Sequence, residues 1–308
     1  MDLRSLQTFV QVAESGSFSR AGERLGYSQP AVSVHIRQLE EELGVRLFDR
    51  IGHAVRLTDK GRGLLRHAQQ ICRDCQQLHQ SAGQQNTIRG VVRLATAQSL
   101  CGPLVEQCFS RLRAVCPELR LELTTAGTTE LFRMLDHNDA DMVCTLDSHI
   151  YNTNYITAHE EQIGVHFVVP AGSPLAQQDR LTMSDLTRQQ WLLTERGMSY
   201  RRQLDEWLAQ SSIALEPVLE NGSADLLCGL VEQGMGVSFL PDYVTAAAVR
   251  RGTVIRLDAE GFAPALWMQV LYRREKWVSE AMEAVLRQLT AVHLTKEGTL
   301  AKKPSGML

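Results

Sequence analysis

The 308-residue sequence lacks any apolar run that approaches the roughly 20 residues needed to cross a bilayer. Its start, Met1-Asp2-Leu3-Arg4, also lacks the basic and then apolar layout of a secretory signal. The seven cysteines are scattered and do not form the repeated pattern of a small disulfide-stapled scaffold. We therefore expect a soluble, cytoplasmic protein of bacterial, nucleoid-associated type, with reduced thiols and no membrane partner.

The sequence also shows few signs of catalytic or cofactor-binding chemistry. It has no nucleophile elbow and no phosphate-binding glycine loop, and Gly234-Met235-Gly236 is a lone glycine pair that favours a tight turn. The nine histidines lie far apart, without metal-ligand spacing. Cys72 and Cys75 form a C-x-x-C pair, but no second pair accompanies it. These absences argue against an enzyme and predict neither a metal nor a cofactor.

What the sequence does contain is enough apolar material for two or three domains, and an uneven charge. Hydrophobic residues make up 44% and charged residues 22%, near the soluble globular average, which argues against a largely disordered chain. Residues 1–89 carry 12 Lys/Arg and 9 Asp/Glu, a net charge of +3, whereas residues 90–308 carry 20 and 26, a net charge of −6. A basic front suits a phosphate-binding domain, although this modest asymmetry alone does not identify DNA.

Residues 1–58 are predicted to form a winged helix-turn-helix. Apolar residues at helical spacing predict a first helix that Gly16 ends and a second, short helix that stops at Gly26. Ser28 is placed to cap a third helix. Two short β stretches on either side of Gly52 then predict a hairpin, the wing.

The helix-turn-helix spans about residues 18–37, and its second helix is expected to enter the major groove with its first residues on base edges. Glutamine pairs with adenine, serine bonds to any base edge, and proline or valine touches a thymine methyl group. Arginines on the flanking helix and on the wing are placed to contact phosphates and fix the register. The predicted DNA-binding residues are Arg20, Ser28, Gln29, Pro30, Ser33, Val34, Arg37, Arg50 and Arg56.

Residues 59–89 are predicted to form a long helix followed by a polar hinge. Its apolar residues step by alternating intervals of four and three, the spacing of a two-stranded coiled-coil seam. The alternative, a helix that lies on its own domain, stays open. The residues expected to pair two subunits are Leu64, Ala68, Ile71, Cys75 and Leu78.

Residues 90–295 alternate strands with helices, which predicts parallel sheets covered on both faces. Two such series follow each other, so we expect two lobes with a cleft between them. Lobe 1 takes about residues 90–161 and 268–295, lobe 2 about residues 162–267, and residues 296–308 form a mobile tail. The predicted fold class is multidomain, α+β in the winged helix-turn-helix and α/β in the lobes.

Hydroxyl-bearing residues occupy several predicted strand-to-helix turns, where two-lobed α/β receptors bind their ligands. Helix N-termini favour negative charge, and an arginine adds a bidentate carboxylate contact. Plain helix capping by serine and threonine explains the same residues equally well. We hypothesise a small effector, a carboxylate or other anion, bound by Gln98, Ser99, Thr128, Thr129, Thr194, Ser199, Arg201 and Ser223.

The N-terminal region contains four specific strings, Phe18-Ser19-Arg20-Ala21, Ser28-Gln29-Pro30-Ala31-Val32-Ser33, Leu39-Glu40-Glu41-Glu42-Leu43-Gly44 and Leu47-Phe48-Asp49-Arg50. Together they closely resemble the LysR-type transcriptional regulators, and the resemblance continues, colinear but weaker, after residue 90. It implies a winged helix-turn-helix, a dimerising linker helix and a periplasmic-binding-protein-like effector domain. Ser99, Thr128 and the loop at Ser199 match positions where members of the family hold their effectors. It also implies a homodimer that assembles into a homotetramer on an interrupted palindrome of double-stranded DNA, with RNA polymerase as a further partner.

Three residues, Gly22, Val34 and His35, depart from the usual family pattern. These departures put the base preference in question, but they leave the fold unaffected. Among alternative functions, a thiol-redox-responsive regulator of the same fold stays open, with Cys101 as its candidate thiol because it lies close to the presumed cleft. The reactive cysteine that peroxide-sensing members of the family carry near the position of Ser199 is absent from this sequence. An α/β enzyme and a pure solute-binding module are the alternatives of other classes, and the second leaves residues 1–58 without a purpose.

Overall fold

The computed structural model describes residues 2–51, 54–81 and 88–294. The chain begins with a three-helix domain that carries a β-hairpin. Its elements are α1 (Leu3–Ser15), α2 (Phe18–Leu25), α3 (Gln29–Leu43), β1 (Phe48–Ile51) and β2 (Ala54–Leu57). The predicted helix-turn-helix and its hairpin wing are confirmed.

The three helices begin and end where the sequence provides caps. The side chains of Asp2, Ser17 and Ser28 accept hydrogen bonds from the backbone N–H three residues further on. A glycine in the left-handed region, with φ between 60° and 72°, ends each helix. The elements enclose an apolar core of Leu6, Phe9, Val10, Val12, Phe18, Ala21, Val32, Ile36, Leu39, Leu47 and Phe48.

The long helix α4 (Asp59–Ser81) lies along this domain and also exposes an apolar face. Leu65, Ala68 and Cys72 are buried in the N-terminal core, as expected for a helix that packs on its own domain. On another side, Ile71 is 37% and Leu78 70% exposed. The hinge residues 82–87 and the tail 296–308 lie outside the described residues.

Lobe 1 is built around a five-stranded sheet. Its elements are β3 (Gly90–Thr96), α5 (Gln98–Leu104), a π-helical segment (Val105–Phe109), α6 (Ser110–Val115), β4 (Leu119–Thr125), α7 (Thr128–Asp136), β5 (Met142–Asp147), β6 (Tyr155–Ile163), β13 (Leu266–Arg273) and α12 (Glu280–Leu289). The strand order is β4-β3-β5-β13-β6. β3 runs parallel to β4 and β5, whereas β13 runs antiparallel to β5 and β6.

Lobe 2 contains a four-stranded sheet and a parallel pair of strands. Its elements are β7 (Val165–Pro170), β8 (Arg180–Leu181), α8 (Met183–Thr187), β9 (Trp191–Leu193), α9 (Ser199–Ala209), β10 (Pro217–Glu220), α10 (Ala224–Glu232), β11 (Ser238–Pro241), α11 (Asp242–Arg251) and β12 (Val254–Ala259). The sheet has the order β11-β7-β12-β8, and β9 joins its edge through a bridge from Trp191 to Val237. No described helix combines the length and the apolar character needed to span a bilayer.

The lobes are joined by two crossings, one at Gly164 between β6 and β7 and the other between β12 and β13. The sequence pattern does not indicate β6, because this edge strand is half exposed and its glutamates disfavour a strand. It also missed α11, which begins directly after β11 with no intervening turn.

The three-helix domain is docked on lobe 1 through a buried group of charges at the end of α1. Glu14 accepts a hydrogen bond from the Trp277 backbone N–H at 2.6 Å and pairs with Lys276 Nζ at 3.4 Å. Lys276 Nζ also pairs with Asp141 at 2.8 Å and donates to Asn138 Oδ1 at 2.7 Å. The side chains of Glu14, Lys276 and Asp141 are only 6%, 8% and 13% exposed. We call Glu14, Lys276, Asp141 and Asn138 the docking cluster.

The electrostatics of the docking cluster depend on its single lysine. Burial raises the pKa of the Glu14 carboxyl, and the charge of Lys276 only partly offsets this. Burial also acts to raise the pKa of Asp141, but the charge and hydrogen bond of Lys276 outweigh it and hold that pKa below its ordinary value. Arg24 extends the contact by donating to the Asn138 backbone carbonyl at 2.7 Å. A cavity of about 700 Å³ lies beside the cluster, between α1, α2 and lobe 1.

Candidate DNA-binding surface and effector cleft

The N-terminal end of α3 presents a mostly polar face to solvent. Gln29 Nε2 donates to Ser33 Oγ at 2.9 Å, which aligns two side chains that are one turn apart. The Ser28 hydroxyl caps the helix by accepting from the Ala31 N–H at 3.4 Å. Ser33 is half-buried, and the exposed predicted residues on this helix are Ser28, Gln29, Pro30, Val34 and Arg37.

The predicted phosphate-contacting arginines occupy different positions. Arg56 is exposed on β2, opposite Asp49 in the hairpin register. The side chain of Arg50 lies outside the described residues, although its backbone belongs to β1. Arg20 is 57% exposed and lies 3.6 Å from Asp139, so it is directed toward lobe 1 in this structure.

Two of the three residues that depart from the family pattern have structural explanations. His35 Nδ1 lies 3.1 Å from Thr8 Oγ1, and the ring packs edge-on against Tyr27 with centroids 5.2 Å apart, so it fastens α3 to its own domain. A Cβ at Gly22 would lie 2.6 Å from the Tyr27 backbone oxygen, closer than a side chain tolerates. Of the three departures, Val34 is the one on the exposed face of α3.

The cleft between the lobes is bridged by buried hydroxyl groups. Tyr243, on α11 of lobe 2, donates to the Oγ of Ser99, on α5 of lobe 1, at 2.8 Å. Tyr200, at the start of α9, is buried beside this pair. Burial raises the pKa of both tyrosines, so both hydroxyls stay protonated and able to donate.

A second pair of contacts joins the lobes where β5 ends. Arg202 donates to Asp147 Oδ1 at 2.6 Å, and Gln203 Nε2 donates to Ser148 Oγ at 3.0 Å. These residues and both cleft tyrosines were not predicted from the sequence. The available signal was Asp147 at the carboxyl end of a parallel strand, where ligands of α/β sheets bind.

The other predicted effector residues fall into distinct environments. Arg201 is 1% exposed, pairs with Asp205 at 2.9 Å and donates to the Thr194 carbonyl at 2.8 Å, so it fastens α9 to the preceding loop. The Ser223 hydroxyl accepts from the Leu226 N–H at 3.3 Å and caps α10. The remaining residues divide into exposed Gln98 and Thr129, half-buried Thr128, and buried Thr194 and Ser199.

None of the seven cysteines forms a disulfide. Burial raises the pKa of the Cys144 thiol to about 12 and that of Cys228 to about 11, so neither forms the thiolate that redox chemistry requires. Cys101 is half-buried on α5, two residues after Ser99. Cys101 therefore stays the candidate thiol of the redox alternative, whereas Cys144 and Cys228 are unsuited to it.

Two family models match the chain. Residues 3–62 match the bacterial regulatory helix-turn-helix protein of the lysR family, and residues 85–293 match the LysR substrate binding domain. The RuBisCO operon transcriptional regulator of Allochromatium vinosum is 26% identical over 310 residues, which cover 95% of this chain and 98% of that protein. The HTH-type transcriptional regulator CbbR of Xanthobacter flavus is 28% identical over 292 residues, covering 92% and 86%.

Solved structures share the fold. A full-length variant of OxyR from Pseudomonas aeruginosa superposes with a TM-score of 0.57 at 23% identity, covering 96% of this chain and 99% of that one. CrgA, a LysR-type transcriptional regulator from Neisseria meningitidis, gives a TM-score of 0.52 at 24% identity, covering 97% and 99%. Since the two family models together account for most of the sequence, the chain belongs to the LysR family of DNA-binding transcriptional regulators, which carry an effector-binding domain and are not enzymes.

Proposed function

We propose that this regulator senses a small carboxylate or other anion in its interlobe cleft, and that the ligand competes for the hydrogen bond between Ser99 and Tyr243. The observation that carries this proposal is the buried hydrogen bond from the Tyr243 hydroxyl to Ser99 across the cleft, with the protonated hydroxyl of Tyr200 nearby. Hydroxyls are donors that an anion satisfies better than a neutral ligand does. Arg202, half exposed beside Asp147, supplies a positive charge at the rim.

Two of the effector-binding residues predicted from the sequence have different roles in this proposal. Ser99 contacts the ligand, whereas Arg201 acts indirectly, by holding the start of α9 and thus Tyr200 in place. Ligand binding shifts the population between two arrangements of the lobes, by an amount set by its differential affinity for them.

Ser99→Ala is expected to abolish ligand-induced stabilisation. A carboxylate at 100 times its dissociation constant stabilises the wild type by about 2.7 kcal/mol, and the variant loses this because the ligand loses the hydroxyl at the centre of the site. Thermal unfolding against a panel of carboxylates and inorganic anions measures the effect. Ser110→Ala, an exposed serine further along the same continuous helix, is the matched control. A stabilising anion that acts equally on the Ser99→Ala variant would place its site elsewhere.

We also propose that the active species is a homodimer paired through α4, which assembles into a homotetramer on an interrupted palindrome and contacts RNA polymerase. The exposed residues Ile71 and Leu78, with half-buried Cys75 between them, support this pairing because they keep the four-then-three spacing of a seam. Ala68 is already buried against its own chain, so we place the proposed contact between the two α4 helices nearer to their C-terminal ends.

Two substitutions on the DNA-binding surface are expected to have different effects, one on sequence specificity and the other on affinity for all DNA sequences. Gln29→Ala removes a base contact and costs about 1–3 kcal/mol at the preferred site, with little change at other sequences. Arg56→Ala removes a phosphate contact, so all sequences weaken and the slope of log K against log salt falls by about 0.9. Binding to DNA selected from a random library, measured over a range of salt concentrations, distinguishes them. An unchanged salt slope for Arg56→Ala would refute its phosphate role.

A further inference from the structure

Three potential metal ligands converge at the edge strand of lobe 1. His159 and Glu161 lie on the edge strand β6, and side chains two residues apart on a strand share a face. The segment after α12 runs beside this strand, because the Leu294 N–H donates to Glu161 Oε2 at 3.0 Å, and it places His293 there. One ligand atom from each of the three residues lies within 4.8 Å of the others.

The contacts of neighbouring residues support the placement of His159, Glu161 and His293 on one face of the sheet. Glu160, which lies between them in sequence, accepts a hydrogen bond from His149 Nε2 at 2.8 Å on the other face of the sheet. The rings of His159 and His293 have centroids 5.9 Å apart and are steeply tilted, so their edges meet without stacking. The two imidazoles therefore approach each other although they are 134 positions apart in the sequence.

His159 has a ring nitrogen that is available to a metal. Its Nε2 is buried and has no hydrogen-bond partner. In the neutral ring, a proton on Nδ1 leaves a lone pair on Nε2. Histidines that bind metals usually donate their other ring N–H to a carbonyl or carboxylate, and the backbone of Val292 lies beside this ring.

We propose that His159, Glu161 and His293 bind a zinc ion, with water at the fourth position. Two imidazoles and a carboxylate are a donor set that suits zinc, whereas calcium and magnesium prefer oxygen ligands alone. Tetrahedral ligands at zinc distances are about 3.3 Å apart, so the site tightens on binding. The exposed side chain of His293 is able to make that movement.

A zinc ion here fastens the segment after α12 to β6. It covers part of a sheet edge that is otherwise available for pairing. It also lies close to the chain crossing at Gly164, since Glu161 precedes that glycine by three residues. Zinc therefore stabilises the folded lobe by mass action and stiffens one end of the hinge between the lobes.

Isothermal titration of the chelator-stripped, full-length protein with zinc chloride, in the presence of a phosphine reductant, tests the site. We expect one zinc per chain, and at least a tenfold weaker affinity in His293→Ala and in Glu161→Gln. His67→Ala, an exposed histidine on α4, is the matched control and should bind as the wild type does. Cobalt in place of zinc should give the visible spectrum of a tetrahedral nitrogen and oxygen site without thiolate bands. Absence of zinc binding by the wild type, or equal affinity in His293→Ala and Glu161→Gln, would overturn the proposal.

Discussion

Replacing Lys276 by methionine is expected to reduce the stability of the docked protein by about 3–5 kcal/mol at neutral pH. Methionine keeps much of the length of the lysine chain but removes its charge. The carboxylates of Glu14 and Asp141 then remain in a site from which water is largely excluded, without their shared cation. Thermal unfolding should show a fall in Tm of several degrees, and limited proteolysis should cut more readily between the three-helix domain and lobe 1.

Glu14→Gln is the matched control for this prediction. Glutamine keeps an oxygen that can accept from the Trp277 N–H, and it removes a buried charge, so little stability should be lost. A loss as large as that of Lys276→Met would contradict an origin in unpaired buried charge.

The same cluster predicts the direction of a pH effect. Because burial raises the pKa of Glu14, the folded protein binds its proton more tightly than the unfolded chain does. The stabilisation from that proton is present at low pH and is lost as the pH rises through the folded pKa. The stability of Glu14→Gln relative to wild type should therefore rise over that interval, and the defect of Lys276→Met should shrink as the pH falls. Denaturant titrations at a series of pH values measure both trends.

Replacing Val34 by glutamate is expected to weaken DNA binding about 100-fold, or about 2.7 kcal/mol, at specific and nonspecific sites. Val34 is 47% exposed, one turn after Pro30 on α3, so a carboxylate there faces the phosphates without disturbing the core. Glutamate is also a good helix former, which leaves α3 itself intact.

Val34→Gln is the neutral comparison for the charge. Binding of both variants to one duplex, measured together with their circular dichroism, separates electrostatic repulsion from loss of a thymine-methyl contact. Equal losses in the two variants would show that the apolar contact matters and the charge does not.

The parts of the molecule that the sequence predicted are those determined by local signals. Ser28 and Gly26 mark helix ends through hydrogen bonds and a backbone conformation that involve only near neighbours. The long helix α4 was predicted only in part, because it is apolar on more than one side. Periodicity alone did not show that Ala68 packs on its own domain while Leu78 stays exposed.

The parts that were missed depend on residues far apart in the chain. The docking cluster joins Glu14 to Lys276, which are 262 positions apart, and no spacing rule connects them. The same reason explains why the sequence spacing of the histidines does not indicate that His159 and His293 meet in the folded lobe. Arg201 illustrates a third case: its charge suggested a ligand contact, but Asp205, one helical turn away, pairs with it.

The docking of the three-helix domain on lobe 1 has a consequence for how a signal leaves the cleft. Within one subunit, the DNA-reading helices and lobe 1 are fastened together, so closing the cleft displaces lobe 2 relative to both. On the proposed mechanism, occupancy of the cleft would therefore affect DNA binding by the same subunit only weakly. In the oligomer proposed above, a displaced lobe 2 would press on a neighbouring subunit and change the spacing of the DNA-binding domains. Cooperativity among subunits would then be the means by which this regulator reports its ligand, and an isolated protomer would bind the effector without transmitting it.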